Sequence, residues 1–198
     1  RASAGIGGGV CSYDSSLRNC LLARNAGGGN GGGLFAYNTM AESCTIAYNR
    51  SSGRGGGIWA ESTSFFTNTI LYANWAVADL DAGRLYLASP VYDHCAATEA
   101  LLPGTNNVVG DPLFANPITN DFRIRYGSAA INTGTNQGWM LSAVDLNGNA
   151  RIASASVDIG ACEFSGDSLG VGFAASPDAG YAPLTAVFTA RVFRADLD

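Results

Sequence analysis

The chain has 198 residues and no lysine, so its 11 basic side chains are all arginine. Only 14% of residues are charged and the formal net charge is -5, which argues against the basic face that nucleic acid requires. No apolar run approaches the length of a membrane-spanning helix, and no signal peptide is legible. The five cysteines, Cys11, Cys20, Cys44, Cys95 and Cys162, form no CxxC pair and no cluster with the lone His94, so the spacings of a zinc site are missing. Helical periodicity is missing as well: nothing in residues 5–74 repeats its apolar positions every 3.6 residues.

What the chain has is glycine, 26 residues of it, arranged with a period. Gly7-Gly8-Gly9-Val10 recurs as Gly31-Gly32-Gly33-Leu34 and again as Gly55-Gly56-Gly57-Ile58, each time after 24 residues. Leu22, Ile46 and Ile70 keep that offset, as do Cys20 and Cys44, Tyr48 and Tyr72, and Asn25 and Asn49. A fixed period of this length marks a solenoid. Leucine-rich repeats place several leucines around an asparagine, whereas here the recurring residues are glycine triplets and single β-branched or aliphatic side chains. Short alternating runs bounded by Gly, Asn and Ser read as two or three brief strands per unit. The fold reading is all-β, a parallel β-helix of about 24 residues per coil in which each coil adds about 4.8 Å of rise.

Stacked coils place equivalent positions above one another. Val10, Leu34 and Ile58 then form one inward column and Leu22, Ile46 and Ile70 another, and these are the predicted core. Asn25 and Asn49 line up as an amide ladder; Asn74 follows one residue late, which predicts a single-residue bulge in the third coil. Cys20 and Cys44 stack with Cα atoms about 4.8 Å apart. In-register strands point both Cβ atoms the same way, too far apart for relaxed bridging, which favours a buried thiol stack over a disulfide. By strand alternation Cys11, Phe35 and Trp59 face outward, and Tyr13 and Tyr37 share that parity. The prediction is an exposed aromatic strip of Phe35, Trp59, Tyr13 and Tyr37 offered to a carbohydrate or a protein, the competing reading being that a loop or terminal segment covers it.

After Asn74 the repeat fades. Leu85-Tyr86-Leu87 and Val91-Tyr92 read as strands on either side of a turn. The phrases "GTNNVVGDPLF" (Gly104 to Phe114), "DFRIRYGSAAINTG" (Asp121 to Gly134) and "DLNGNARI" with "VDIGACEF" (Asp145 to Phe164) follow. With the glycine-rich coils they resemble a bacterial family of secreted right-handed parallel β-helix proteins, whose C-terminal part carries "DPLF", "GSPAIDAG", "DLDGNPR" and "VDIGAYE". The resemblance covers about residues 5–164. Ala129, Asn132, Asn147, Ala150 and Cys162 depart from those phrases, which weakens any calcium site carried over to the loops. Val171 to Val192 resembles the opening strands of a PKD-type immunoglobulin-like module, with about two of some seven strands supplied. The domain expectation is therefore a β-helix over residues 1–165, regular over 5–74 and irregular over 75–165. Residues 166–198 then form a linker and a partial, sandwich-like tail. Arg1 opens straight into a repeat, so the chain reads as an internal or processed piece of an extracellular or cell-surface protein.

Parallel β-helices include polysaccharide lyases and hydrolases, which use carboxylates on calcium with a basic side chain, or clustered Asp pairs. Here Asp14, Arg18 and Arg24, then Glu42, Arg50 and Arg54, then Glu61 are spread so that no carboxylate stacks on another at the 24-residue offset. No catalytic residue is assigned. His94 has only Asp93 beside it and reads as a turn histidine. Asp145, Asn147 and Asn149 alternate like calcium ligands but lack the later Gly and Glu of an EF-type loop; an Asx-rich turn is the favoured account, and calcium is the only cofactor admitted. The functional expectation is a non-catalytic structural or adhesive module of a secreted bacterial surface protein, self-associating end to end through uncapped coils. The alternative is a carbohydrate-binding or polysaccharide-degrading protein whose active coils lie outside this chain.

Overall fold

The computed structural model describes residues 5–78, 81–84, 89–97, 102–166, 169–176 and 187–194. These are all strand and turn apart from two short 3-10 segments, Pro117–Thr119 and Gly138–Ser142. The chain divides into two compact units, residues 1–165 and 166–198.

The first unit is a parallel β-solenoid of about 3 turns with about 24 residues per coil. Its first coil holds β1 (Val10–Tyr13), β2 (Ser16–Arg18), β3 (Leu21–Ala23) and β4 (Ala26–Gly27). The second holds β5 (Leu34–Tyr37), β6 (Met40–Glu42), β7 (Thr45–Ala47) and β8 (Arg50–Ser51). The third runs through β9 (Ile58–Glu61), β10 (Phe65–Thr67) and β11 (Ile70–Tyr72), and β12 (Ala82–Arg84), β13 (Val91–Asp93) and β14 (Ala96–Ala97) stack on these as the next rung. β15 (Gly104–Thr105) and β16 (Val108–Val109) add a last, abbreviated rung. Parallel pairing stacks these into a first sheet, β1-β5-β9-β12, a second, β2-β6-β10-β13-β15, and a third, β3-β7-β11-β14-β16.

Corners explain how strands this short suffice. Asp14, Asn38 and Ser62 turn the chain from the first sheet to the second at φ of 46°, 47° and 61°. Asn19, Ser43, Asn68, His94 and Asn106 turn it from the second to the third at 50° to 55°. This is the left-handed region, which Asn and Asp tolerate better than most residues because their short side chains bond locally. Ahead of the first sheet the turn falls to glycine. At Gly31, φ is 76° and a Cβ would lie 2.5 Å from the Leu34 carbonyl oxygen; at Gly32 it would lie 2.3 Å from that of Gly56, one coil on. The triplet thus serves both a backbone conformation and a close approach of neighbouring coils.

Inside, Val10, Leu34, Ile58 and Ala82 share one register line. Ala41, Phe66 and Tyr92 share another, the two rings stacked 4.8 Å apart. The third line corrects the sequence reading: it runs Leu22, Ile46, Leu71, Ala97, and Ile70 lies opposite Thr45 instead. The cause is one inserted residue. β9 keeps the 24-residue offset from β5, whereas β10 is offset by 25 from β6, so the extra residue sits at the corner, residues 62–64, well before Asn74. Ile70 is buried all the same, but on the outer face of the third sheet.

That outer face is apolar and needs a cover. Residues 111–165 supply it as a pad rather than as further coils, beginning with an antiparallel pair, β17 (Phe114–Asn116) and β18 (Asp121–Ile124). Phe114, Phe122, Ile124, Ala130 and Ile159 pack on Ala47, Ile70 and Ala96 as a second core. The Gly160 N–H donates to the Asn68 carbonyl at 2.8 Å and the Ala161 N–H to Thr45 Oγ1 at 3.0 Å. The irregular coils expected over residues 75–165 therefore split, with β12 to β16 continuing the solenoid and 111–165 lying over it.

The second unit, by itself, is an antiparallel pair of β19 (Leu169–Ser176) and β20 (Val187–Arg194), in unbroken register from Leu169 opposite Arg194 to Ser176 opposite Val187. Residues 177–186 of the PKD-like stretch lie outside the described residues, as do Leu85, Tyr86 and Leu87. Among the described residues no helix is long and apolar enough to cross a membrane.

Candidate functional site

The expected aromatic strip is corrected by burial. Phe35 and Trp59 do point away from the coil interior but are only 2% and 4% exposed. Alternation fixes the side of a strand, not its contact with water. Phe35 lies between Cys11 and Trp59 in the ladder with the Tyr13 ring 5.5 Å away, and Trp59 Nε1 donates to Glu61 Oε1 at 3.1 Å.

The open surface lies one corner further on, over the second sheet. Ser16, Met40, Phe65 and Val91 follow one another in register at its outward positions. Beside them Tyr13 and Tyr37 stack 5.7 Å apart at the end of the first sheet. Tyr13, Tyr37, Met40, Phe65 and Val91 are 39% to 50% exposed. A groove of about 420 Å³ runs along the corner between, lined by Asp14, Ser15, Ser16, Asn38, Thr39, Met40, Thr63 and Phe65. Asn38 Nδ2 donates to Asp14 Oδ1 at 2.8 Å, which fixes both polar groups on the rim. Met40, Phe65 and Val91 escape a reading at fixed period because the inserted residue puts Ser64, not Phe65, at 24 from Met40.

The far rim is charged. Arg18 Nε donates to Glu42 Oε2 at 2.5 Å while its guanidinium lies over the Trp139 ring at 5.1 Å. Asp93 follows on the same register line. Burial alone would raise its carboxyl, but hydrogen bonds from Thr105 and Asn106 together with the neighbouring His94 ring outweigh that and hold it below the usual range. His94 Nδ1 stands 3.1 Å from Asp93 Oδ2, on a residue that occupies a left-handed corner.

Within the pad lies a cluster of charge that the sequence reading missed. Arg151 is fully buried, with Nη2 donating to the carbonyls of Asp158 and Gly160 at 3.1 and 2.6 Å and Nη1 3.3 Å from Glu163 Oε1. Asp145 is buried too. Its Oδ1 accepts from the N–H groups of Asn147 and Asn149, and its Oδ2 from Asn149 Nδ2 and the Glu163 N–H. Facing four N–H donors, Asp145 closes an Asx turn with Asn147 and Asn149.

Burial pushes the Glu163 carboxyl up to about 8 despite the Arg151 guanidinium beside it, and raises Asp158 as well. The folded chain then keeps a proton that the unfolded chain releases near the ordinary glutamate value. This stabilisation is full below that value and is lost as pH rises through about 8. Between pH 4.5 and 6 stability is expected to fall by about 2 kcal/mol, or roughly 4 to 8 °C in thermal midpoint. Asp93 and Asp121, both held low, titrate below this window. Thermal melts of the Glu163→Gln chain should lose the slope; an unchanged slope in that variant means the proton is held elsewhere.

Two further columns complete the interior. Asn25 Nδ2 donates to Asn49 Oδ1, Asn49 Nδ2 to Asn74 Oδ1, and Asn74 Nδ2 to Asp81 Oδ1, at 2.9 to 3.0 Å. At the next corner Cys20, Cys44, Thr69 and Cys95 stack, and all five cysteines are unbridged thiols. Comparison with protein-family models, with curated proteins and with solved structures finds no match to the chain. The class that the architecture defines is a parallel β-solenoid with one covered outer sheet and one open.

Proposed function

We propose that this chain is a non-catalytic, adhesive module of a secreted bacterial surface protein that holds an extended polysaccharide along the open face of the second sheet. The observation that carries the reading is the exposed, in-register strip of Met40, Phe65 and Val91 beside Tyr13 and Tyr37. An apolar strip with a polar rim is what the faces and hydroxyls of a sugar chain require. Its steps follow the rung spacing of about 4.8 Å, so a linear polymer meets the same surface at every coil. Asp14, Ser16, Asn38 and Thr63 supply hydrogen-bonding groups along one side. The secreted setting rests on the resemblance of the late phrases. Self-association end to end belongs to the same reading, through β1, β2 and β3, each the outermost strand of its sheet; a single monomeric species in sedimentation at high concentration would remove that part.

Affinity electrophoresis against neutral and acidic wall polysaccharides tests the main claim. The Met40→Ser/Phe65→Ser chain, altered at exposed positions only, is expected to melt as the parent does and to bind about tenfold or more weakly, given about 1 to 2 kcal/mol per lost apolar contact. No retardation by any polymer would sink the proposal. Release of unsaturated or reducing ends by this chain would replace it with the enzymatic alternative.

A further inference from the structure

We infer that Cys20 and Cys44 form a two-coordinate site for a soft monovalent cation, with copper(I) as the natural occupant. Leu21 registers with Thr45, so the residues just before them stand one above the other on successive rungs, about 4.8 Å apart, with side chains pointing the same way. Cys44 Sγ reaches back to 3.9 Å from the Leu17 carbonyl oxygen on the earlier rung, the rung of Cys20. A disulfide needs its Cβ atoms about 3.8 Å apart and its sulfurs about 2.05 Å apart, which two parallel side chains at rung spacing miss by about 1 Å. Two metal–thiolate bonds laid end to end, on the scale of about 2.3 Å each, span about 4.6 Å and match the rung. The spacing that resists a sulfur–sulfur bond therefore accepts an ion between the sulfurs.

The surroundings select the ion. Cys20 Sγ lies 3.2 Å from the Arg18 carbonyl oxygen and Cys44 Sγ 3.4 Å from that of Glu42. Among the described residues no group of three or more His, Cys, Asp or Glu side chains is placed to hold a metal, so the four ligands of zinc are not assembled here. Soft thiolates with no harder partner favour copper(I). Cys44 is fully buried and Cys20 half-buried, so entry is from the Cys20 side. Binding displaces the thiol protons and changes the oxidation state of neither sulfur nor metal. The resulting group carries one negative charge, in the field of the buried Arg151.

The test uses the full chain carrying Cys11→Ser, which removes the exposed thiol, titrated with copper(I) under nitrogen against a chromogenic copper(I) chelator. One equivalent is expected to bind, with X-ray absorption showing two sulfur neighbours and no nitrogen or oxygen. Adding Cys20→Ser should abolish that equivalent, and because the position is half-buried this variant decides the matter even where Cys44→Ser does not fold. Equal binding after Cys20→Ser, a copper(I) of higher coordination, or a Cys20–Cys44 disulfide formed by mild peroxide in the metal-free chain would each overturn the assignment.

Discussion

Replacing Arg151 with methionine is expected to destabilise the first unit by about 2 to 5 kcal/mol, the range for leaving two buried carbonyls without their donor. Methionine fills most of the volume, so the loss is electrostatic and polar rather than a cavity. Two carbonyls, Asp158 and Gly160, lose their donor, and Asp145, Asp158 and Glu163 lose the positive charge among them. The Arg151–Glu163 contact at 3.3 Å is not a well-aligned hydrogen bond. The carbonyl bonds therefore carry a large part of the effect. Denaturant unfolding measures it, and above about pH 8, where Glu163 ionises, Arg151→Met/Glu163→Gln should recover part of the loss by withdrawing one unpaired carboxylate. Hydrogen exchange at the Ala161 amide, which donates to Thr45, should accelerate as the pad loosens. A loss under about 1 kcal/mol would show that the cluster is not a determinant of stability.

Ile46→Ala is expected to cost about 2 to 5 kcal/mol. Ile46 is fully buried, with Leu22 on one neighbouring rung and Leu71 on the other, and its carbonyl accepts from Asn74 Nδ2 at 2.8 Å. Held from both sides, the neighbours have little freedom to collapse into the space. Leu22→Ala, on the outermost described rung of that column, should cost less, since one side is open to rearrangement. Equal losses at the two positions would mean that stacking from both sides adds nothing.

The fold was legible because a solenoid writes its register into the sequence. Gly31, Leu34 and Asn49 recur at one period since each meets its own kind on the next coil, a constraint local enough to be read off. The site was less legible for two physical reasons. A single residue inserted at the corner after Glu61 moves Leu71, not Ile70, into the inner column and Phe65 into the outer strip, and a fixed period cannot see it. Parity placed Phe35 and Trp59 on the outside correctly, but whether an outside position meets water depends on what packs there. The Arg151 cluster was beyond reach for a third reason: Asp145, Arg151, Asp158 and Glu163 are near in sequence, yet their burial depends on how an irregular segment folds back on itself, which no period records.

The row of Asn25, Asn49 and Asn74 has a sense of travel. Each side chain gives its N–H toward the later coil, Asn49 and Asn74 also take one from the earlier, and the row runs into Asp81, which accepts through Oδ1. A coil duplicated anywhere within the row would slot in without disturbing the relay, whereas a coil added after Asp81 would have to start a relay of its own.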